Sequence, residues 1–361
     1  MTLVAMRGNL VRRSALSRSS KRIRHHSSAW WAGDDELWAE DMNVGDILVA
    51  KGLVSAEDIN RALEHQRENG GRLGASLVAL GVLTKEQIER VLEEAPQAPL
   101  TAAATGVDPA LLLELVMKGM YVENLELASQ IAEALKLSST IVNPLLNEAK
   151  ERKFVEALAS ASGGGSMAEL RLSLTRAGRE FAAEAMKRGQ YFGPAPVSLK
   201  DFQERILRQR VTNEVVTRQR LEEGFAGLVM TKRFLSRLGP AISSGNAILI
   251  YGPAGNGKTT IAEIVGRIFQ NVIYVPYCVD LDGEIMIVYD PAIHRKVADT
   301  GEQHGAASGR RSRVDMRWVA CHRPMVITGG ELTIEMLDLK YNSVAKFYEA
   351  PLHVKALNGT F

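Results

Sequence analysis

The chain has 361 residues, 46% of them hydrophobic and 24% charged, the size and makeup of two or three globular domains. A net charge of +2 is too small to imply nucleic acid by itself. No apolar run approaches the roughly 18 residues a membrane helix needs. Cys278 and Cys321 stand without a C-x-x-C pair, which supports neither a disulfide framework nor a zinc site and suits the cytoplasm.

Residues 1–39 read as a disordered basic leader. Arg7, Arg12, Arg13, Arg18, Lys21, Arg22 and Arg24 lie in it, and no acid precedes Asp34. The same composition fits an organellar presequence or a nucleic-acid-binding arm, but it lacks the apolar core of a secretory signal.

Residues 40–95 contain an imperfect repeat. Asn43–Val54 followed by Ile59, Leu63 and Gln66 is matched by Arg72–Leu83 followed by Ile88 and Leu92. Each copy predicts a short helix ending at Gly52 or Gly81, where glycine takes a left-handed cap. A second helix opens at Ser55, with Glu57 near its start, or at Thr84, with Gln87 completing a capping box. Leu48, Ile59 and Leu63 are expected to pack against Leu77, Ile88 and Leu92. The pattern resembles the N-terminal domain of type II secretion and type IV pilus assembly ATPases, some of which bind cyclic di-GMP. In that family each copy opens with R-L-G and closes its second helix with Gln. Here Asn43 and Ala95 replace two of those residues. Arg72, Leu73 and Gly74 are then the candidate dinucleotide contacts, and a small helical docking module is the simpler alternative.

Pro96, Pro99 and the tract Thr101–Gly106 mark a linker over 96–108. Residues 109–187 predict three helices, over Leu111–Met120, Leu125–Leu135 and about Ile141–Lys153. Ser139 or Thr140 is a candidate cap for the third, with Pro144 near its first turn. Strands over Phe154–Ala159 and Glu169–Leu174 flank the glycine turn Ser162–Ser166, and a helix follows over Thr175–Lys187. Three helices and a glycine-tipped hairpin give the order of a winged helix-turn-helix module. If it met DNA, Asn143, Asn147, Lys150 and Arg152 on the third helix would make the contacts. Glu148, Glu151, Glu126 and Glu133 dilute the basic face that phosphate binding requires, so protein docking is the favoured role.

A second linker, residues 188–200, precedes a charged, mostly helical stretch to Leu238. Then comes the most informative motif. Gly252, Pro253, Ala254, Gly255, Asn256, Gly257, Lys258, Thr259 and Thr260 fit G-x-x-x-x-G-K-[ST], between an apolar strand over 247–251 and a helical pattern to Phe269. The glycines let backbone N–H groups curl around phosphate oxygens. Lys258 can reach the β and γ phosphates, and the Thr259 hydroxyl can ligate Mg²⁺. These residues are the candidate ATP site, with Mg²⁺ as cofactor.

Further strands are expected over Val272–Val275, Glu284–Tyr289 and Arg317–Ile327, with a polar insertion over Asp290–Val314 and a short helix over Thr333–Leu337. Residues 201–361 resemble an AAA-type ATPase, so the fold class is α/β with a partial P-loop NTPase core. The resemblance implies a parallel sheet, a homo-oligomeric ring, and ATP hydrolysis coupled to remodelling a protein complex. It also implies an apolar strand ending in paired carboxylates. Asp290, followed by Pro291, and Asp338, in a helical pattern, are weak candidates for that role. The missing motifs predict a chain cut short of that strand, able to bind nucleotide without normal turnover. The histidines lack ligand spacing for zinc, and no G-x-S-x-G elbow occurs. A DNA- or protein-binding regulator and a cyclic-dinucleotide sensor are the non-enzymatic alternatives.

Overall fold

A computed structural model describes residues 2–4, 44–69, 73–158, 170–297 and 314–361. The rest of the basic leader, Arg72, the glycine turn at 162–166 and the arginine cluster at 310–313 lie outside the described residues. A short strand β1 (Thr2–Val4) comes first. Helices α1 (Val44–Ala50) and α2 (Ala56–Asn69) then form one copy of the repeat, and α3 (Leu73–Ala79) and α4 (Lys85–Glu94) the other. Both short helices close on left-handed Gly52 and Gly81. The amides of Leu53 and Val82 reach back to the carbonyls of Leu48 and Leu77, each at 3.0 Å, as in a Schellman closure. Thr84 and Gln87 form the expected capping box. In the first copy Asp58, not Glu57, closes on Ser55, because the third helical position is the one whose carboxylate reaches the cap amide. Ile47, Leu48, Ile59, Leu77, Ile88 and Val91 are buried in one apolar cluster.

The second unit runs α5 (Pro109–Val122), α6 (Ala128–Ala134), α7 (Ser139–Glu151), β2 (Val155–Ala157), β3 (Leu172–Leu174) and α8 (Arg176–Arg188), with β2 and β3 antiparallel. Asp108 caps α5, accepting the Ala110 N–H at 2.8 Å. Ser138 stands at the N-cap position of α7 with its hydroxyl on that of Thr140 at 2.7 Å rather than on a helix amide, and the helix begins earlier than its apolar pattern suggests. Pro144 therefore lies inside the helix, where it removes one backbone hydrogen bond.

The two stretches read as linkers are packed rather than loose. Pro96, Thr105, Val107, Tyr191, Ala195 and Val197 are all buried. Buried Arg317 holds them together: its guanidinium donates to Asp315 at 2.8 Å and to the carbonyls of Thr105 and Pro196 at 3.3 and 2.8 Å. The Asp315 amide donates to Pro96 at 2.8 Å.

Beyond them lie β4 (Val197–Ser198), α9 (Leu199–Arg208), α10 (Arg218–Gly224), α11 (Lys232–Ser243), β5 (Ile248–Ile250) and α12 (Lys258–Ile268). Six further strands follow: β6 (Ile273–Pro276), β7 (Cys278–Leu281), β8 (Glu284–Ile287), β9 (Trp318–Cys321), β10 (Lys340–Asn342) and β11 (Phe347–Glu349). A short helix α13 (Leu352–Lys355) is the last element. A five-stranded mixed sheet is ordered β10-β11-β8-β7-β4. Asp282 and Gly283 turn β7 into β8 with φ of 55° and 92°, the two positive values of a type I′ hairpin. Alternate side chains face different cores. Cys278, Ile285 and Phe347 join the cluster of α5 and α7, while Val279, Met286 and Tyr348 join that of the helical repeat.

A third apolar cluster gathers Val211, Leu221, Phe225, Leu238, Ile242, Ile261, Val265 and Ile268. It carries β5 and α12 and so positions the glycine loop. The AAA-type resemblance implies a parallel sheet around the loop strand. Among the described strands, β5 instead pairs with β1, antiparallel, and β6 pairs with β9, antiparallel. Leu249 and Tyr251 are left 50% and 84% exposed, so the loop strand lacks the two-sided cover of a buried parallel strand.

Candidate functional site

The glycine loop joins β5 to the N-terminus of α12. Gly252, Gly255 and Gly257 hold φ of 151°, 82° and 69°, values that side-chain-bearing residues rarely adopt. A Cβ at any of the three would meet nothing within 4 Å. Backbone conformation, not crowding, is what requires glycine here. Gly257 is the left-handed cap of α12. Among the described residues, the N–H groups from Gly255 to Thr260 have no backbone acceptor. They collect at the positive end of an 11-residue helix, an arrangement that favours an anion.

Lys258 folds back over the loop, its Nζ donating to the Pro253 carbonyl at 2.7 Å. Pro253, Ala254, Asn256, Thr259 and Thr260 are exposed and Lys258 half-buried. The amine thus sits on a neutral oxygen beside a row of open amides. Phosphate oxygens in that row would offer it a charge-assisted bond instead. The Thr259 hydroxyl is free to face a cation bound to those oxygens.

The two carboxylates weighed for the magnesium site are placed elsewhere. Burial pushes the Asp290 carboxyl up, but the hydrogen bond and charge of Lys355 outweigh it and hold the group below its ordinary value. Its oxygens are engaged by Lys355 Nζ at 2.7 Å and by the Ala292 amide at 3.0 Å. Asp338 caps a short helical turn, Ile334–Leu337. No cluster of three or more His, Cys, Asp or Glu suited to a metal occurs among the described residues.

On α7, Asn143 and Asn147 are exposed and Lys150 is half-buried, and Arg152, exposed, is the helix's C-cap residue. Arg152 pairs with Glu148 at 2.5 Å, so part of the helix's positive charge is already matched. In the repeat, Leu73 packs against the apolar cluster, and a Cβ on Gly74 would lie 3.4 Å from Ile88. Both residues are used in helix packing.

Several buried polar residues that the sequence did not single out organise the surroundings. Glu214 accepts the amides of Gln270 and Asn271 at 2.7 and 3.2 Å, immediately after α12. It also pairs with Arg323 at 2.9 Å and Arg220 at 3.1 Å. Arg323 in turn donates to the carbonyls of Gln209 and Asn358 at 2.8 and 2.6 Å. No local motif marks these residues, since apart from Arg220, six positions from Glu214, their partners are distant in the chain. No helix among the described residues is long and apolar enough to cross a membrane. No protein-family model matches the chain, and no curated protein matches its sequence.

Proposed function

We propose that the loop from Gly252 to Thr260 binds the triphosphate of Mg·ATP. The observation that carries this reading is the run of open amides from Gly255 to Thr260, with the Lys258 amine held beside it on Pro253. On binding, Lys258 exchanges a neutral carbonyl for the β and γ phosphate oxygens. The Thr259 hydroxyl takes a place in the magnesium shell. The helix terminus contributes fixed positive potential.

The wider reading is an AAA-type ATPase that hydrolyses ATP as a homo-oligomer and remodels a protein complex. It rests on the motif and the resemblance of residues 201–361. Calorimetric titration of the full chain with ATP, with and without Mg²⁺, tests the narrower claim. The wild type is expected to bind more tightly with Mg²⁺. Lys258→Ala should weaken binding by at least about tenfold, the loss of one charge-assisted contact, with an unchanged melting temperature. Thr259→Ala should remove most of the magnesium effect. Wild-type protein that does not bind ATP would overturn the reading. Phosphate release by the same preparation tests turnover separately.

A further inference from the structure

The chain leaving the phosphate-loop helix is gripped by one continuous element. Glu214 holds the amides of Gln270 and Asn271. Gln209 makes two bonds with Tyr274 on β6: its Nε2 donates to the carbonyl at 3.1 Å, and its Oε1 accepts the amide at 2.6 Å. One turn earlier on α9, the Arg205 guanidinium lies over the rings of Tyr274 and Trp318, 5.5 and 5.8 Å from their centroids. Its Nη1 also donates to the carbonyl of Glu94 at 2.7 Å.

Glu94 is the last residue of α4, in the helical repeat. Arg205 therefore supplies a donor to a carbonyl at a helix end that has no partner within the helix. Gln97 Nε2 supplies others, to Leu92 at 2.5 Å and Ala95 at 3.0 Å. A cavity of about 10 Å³ among Arg205, Gln209, Tyr274 and Trp318 has room for roughly one water molecule.

We infer that α9 and the turn after it form a strut that couples the exit of α12 to the docking of the helical repeat, residues 44–95. The contacts at Glu214, Gln209 and Arg205 sit on one short stretch of chain. They are kept together only if the α12 exit, β6 and the end of α4 move as one. A displacement of α12 must either carry α4 with it or break the Arg205 contact. The trigger rests on the ATP-binding reading above; the strut does not. It makes the repeat a reporter of the glycine loop's occupancy, through a physical two-ended connection.

Hydrogen exchange of the full chain, read by mass spectrometry, tests the strut without nucleotide. Arg205→Lys keeps the charge but loses the planar fork. It should raise exchange by at least about fivefold over residues 85–97 and also at the amides of Gln270 and Asn271, which Glu214 holds and Arg205 does not touch. Glu214→Gln should do the same from the other end, and the double variant should exceed neither single variant by much. If each substitution acts only on the segment it touches, or if the two effects add, the strut is refuted. Should either variant loosen the whole chain, Gln209→Ala cuts the connection at its centre, and the same two-ended result is required.

Addition of ATP then tests the trigger. In the wild type it should change exchange over 85–97. In Arg205→Lys it should bind but leave that segment unchanged. ATP that binds the wild type without any effect there refutes the coupling and leaves the nucleotide site standing. ATP that fails to bind refutes the nucleotide site and the trigger, while the nucleotide-free comparison still decides the strut.

Discussion

His294 illustrates how a residue with no motif around it acquires a defined state. It is buried and stacked on Tyr289 at 5.7 Å. Its Nδ1 accepts the Asp290 amide at 2.9 Å, so the proton belongs on Nε2, which donates to the Lys355 carbonyl at 2.8 Å. A second proton would set two donors against each other. Burial, with the Lys355 charge, lowers the pKa despite the opposing Lys355 carbonyl and Asp290. As pH falls, the unfolded chain therefore takes up its proton before the folded one. The contribution to stability is complete above about 6.5, the ordinary histidine value, and is lost on acidification towards the folded pKa. Melting temperature should fall between pH 7 and pH 5.5, and His294→Gln should flatten part of that slope. His322, lowered by burial and the Arg295 charge, and His353, lowered by burial, act in the same direction. Lys258 was legible in the sequence because its neighbours in the chain are its neighbours in space. His294 was not, because one of its partners, Lys355, lies 61 positions away.

Among the elements, the turn after α9 depends on one carboxylate. Glu214 and Arg323 are 2% and 3% exposed at their side chains, whereas Arg220 is 30% exposed. Removing one member of a buried pair strands the other, at a cost of about 3–5 kcal/mol. Loss of a partly solvated partner costs about 1 kcal/mol or less. Glu214→Ala should therefore lower the denaturant midpoint far more than Arg220→Ala, and equal effects would contradict this account. Element positions were largely readable from periodicity and caps: α5, α8 and α12 fall where apolar spacing places them. The start of α7 was not, because Ser139 and Thr140 are themselves inside the helix and no side chain caps it. The Asp282-Gly283 hairpin carried a strong local signal, hidden within a stretch read for its missing carboxylates.

At the scale of the molecule, sequence pattern separates the units but does not show how they join. Prolines and glycines marked residues 96–108 and 188–200 as linkers, since composition registers the absence of regular structure. It does not register a guanidinium arriving from Arg317 to satisfy their carbonyls. Both stretches should resist brief digestion by a nonspecific protease in the wild type. Arg317→Ala leaves Asp315 buried without its partner and should expose them to cleavage; a wild type cut first at those stretches would show that the joints are loose. The glycine loop between a strand and a helix was legible down to its residues, whereas the pairing of β5 with β1 was not, because strand partners are chosen by the whole fold. Cys278 and Cys321 add a last consequence. Both thiols are buried, and burial pushes each up to about 12, so at neutral pH neither is presented as the reactive thiolate. Cys278 lies in the five-stranded sheet and Cys321 in the β6–β9 pair. Under a thiol reagent the native chain would stay dark until one sheet opens, and the order in which the two sulfurs became labelled would tell which gave way first.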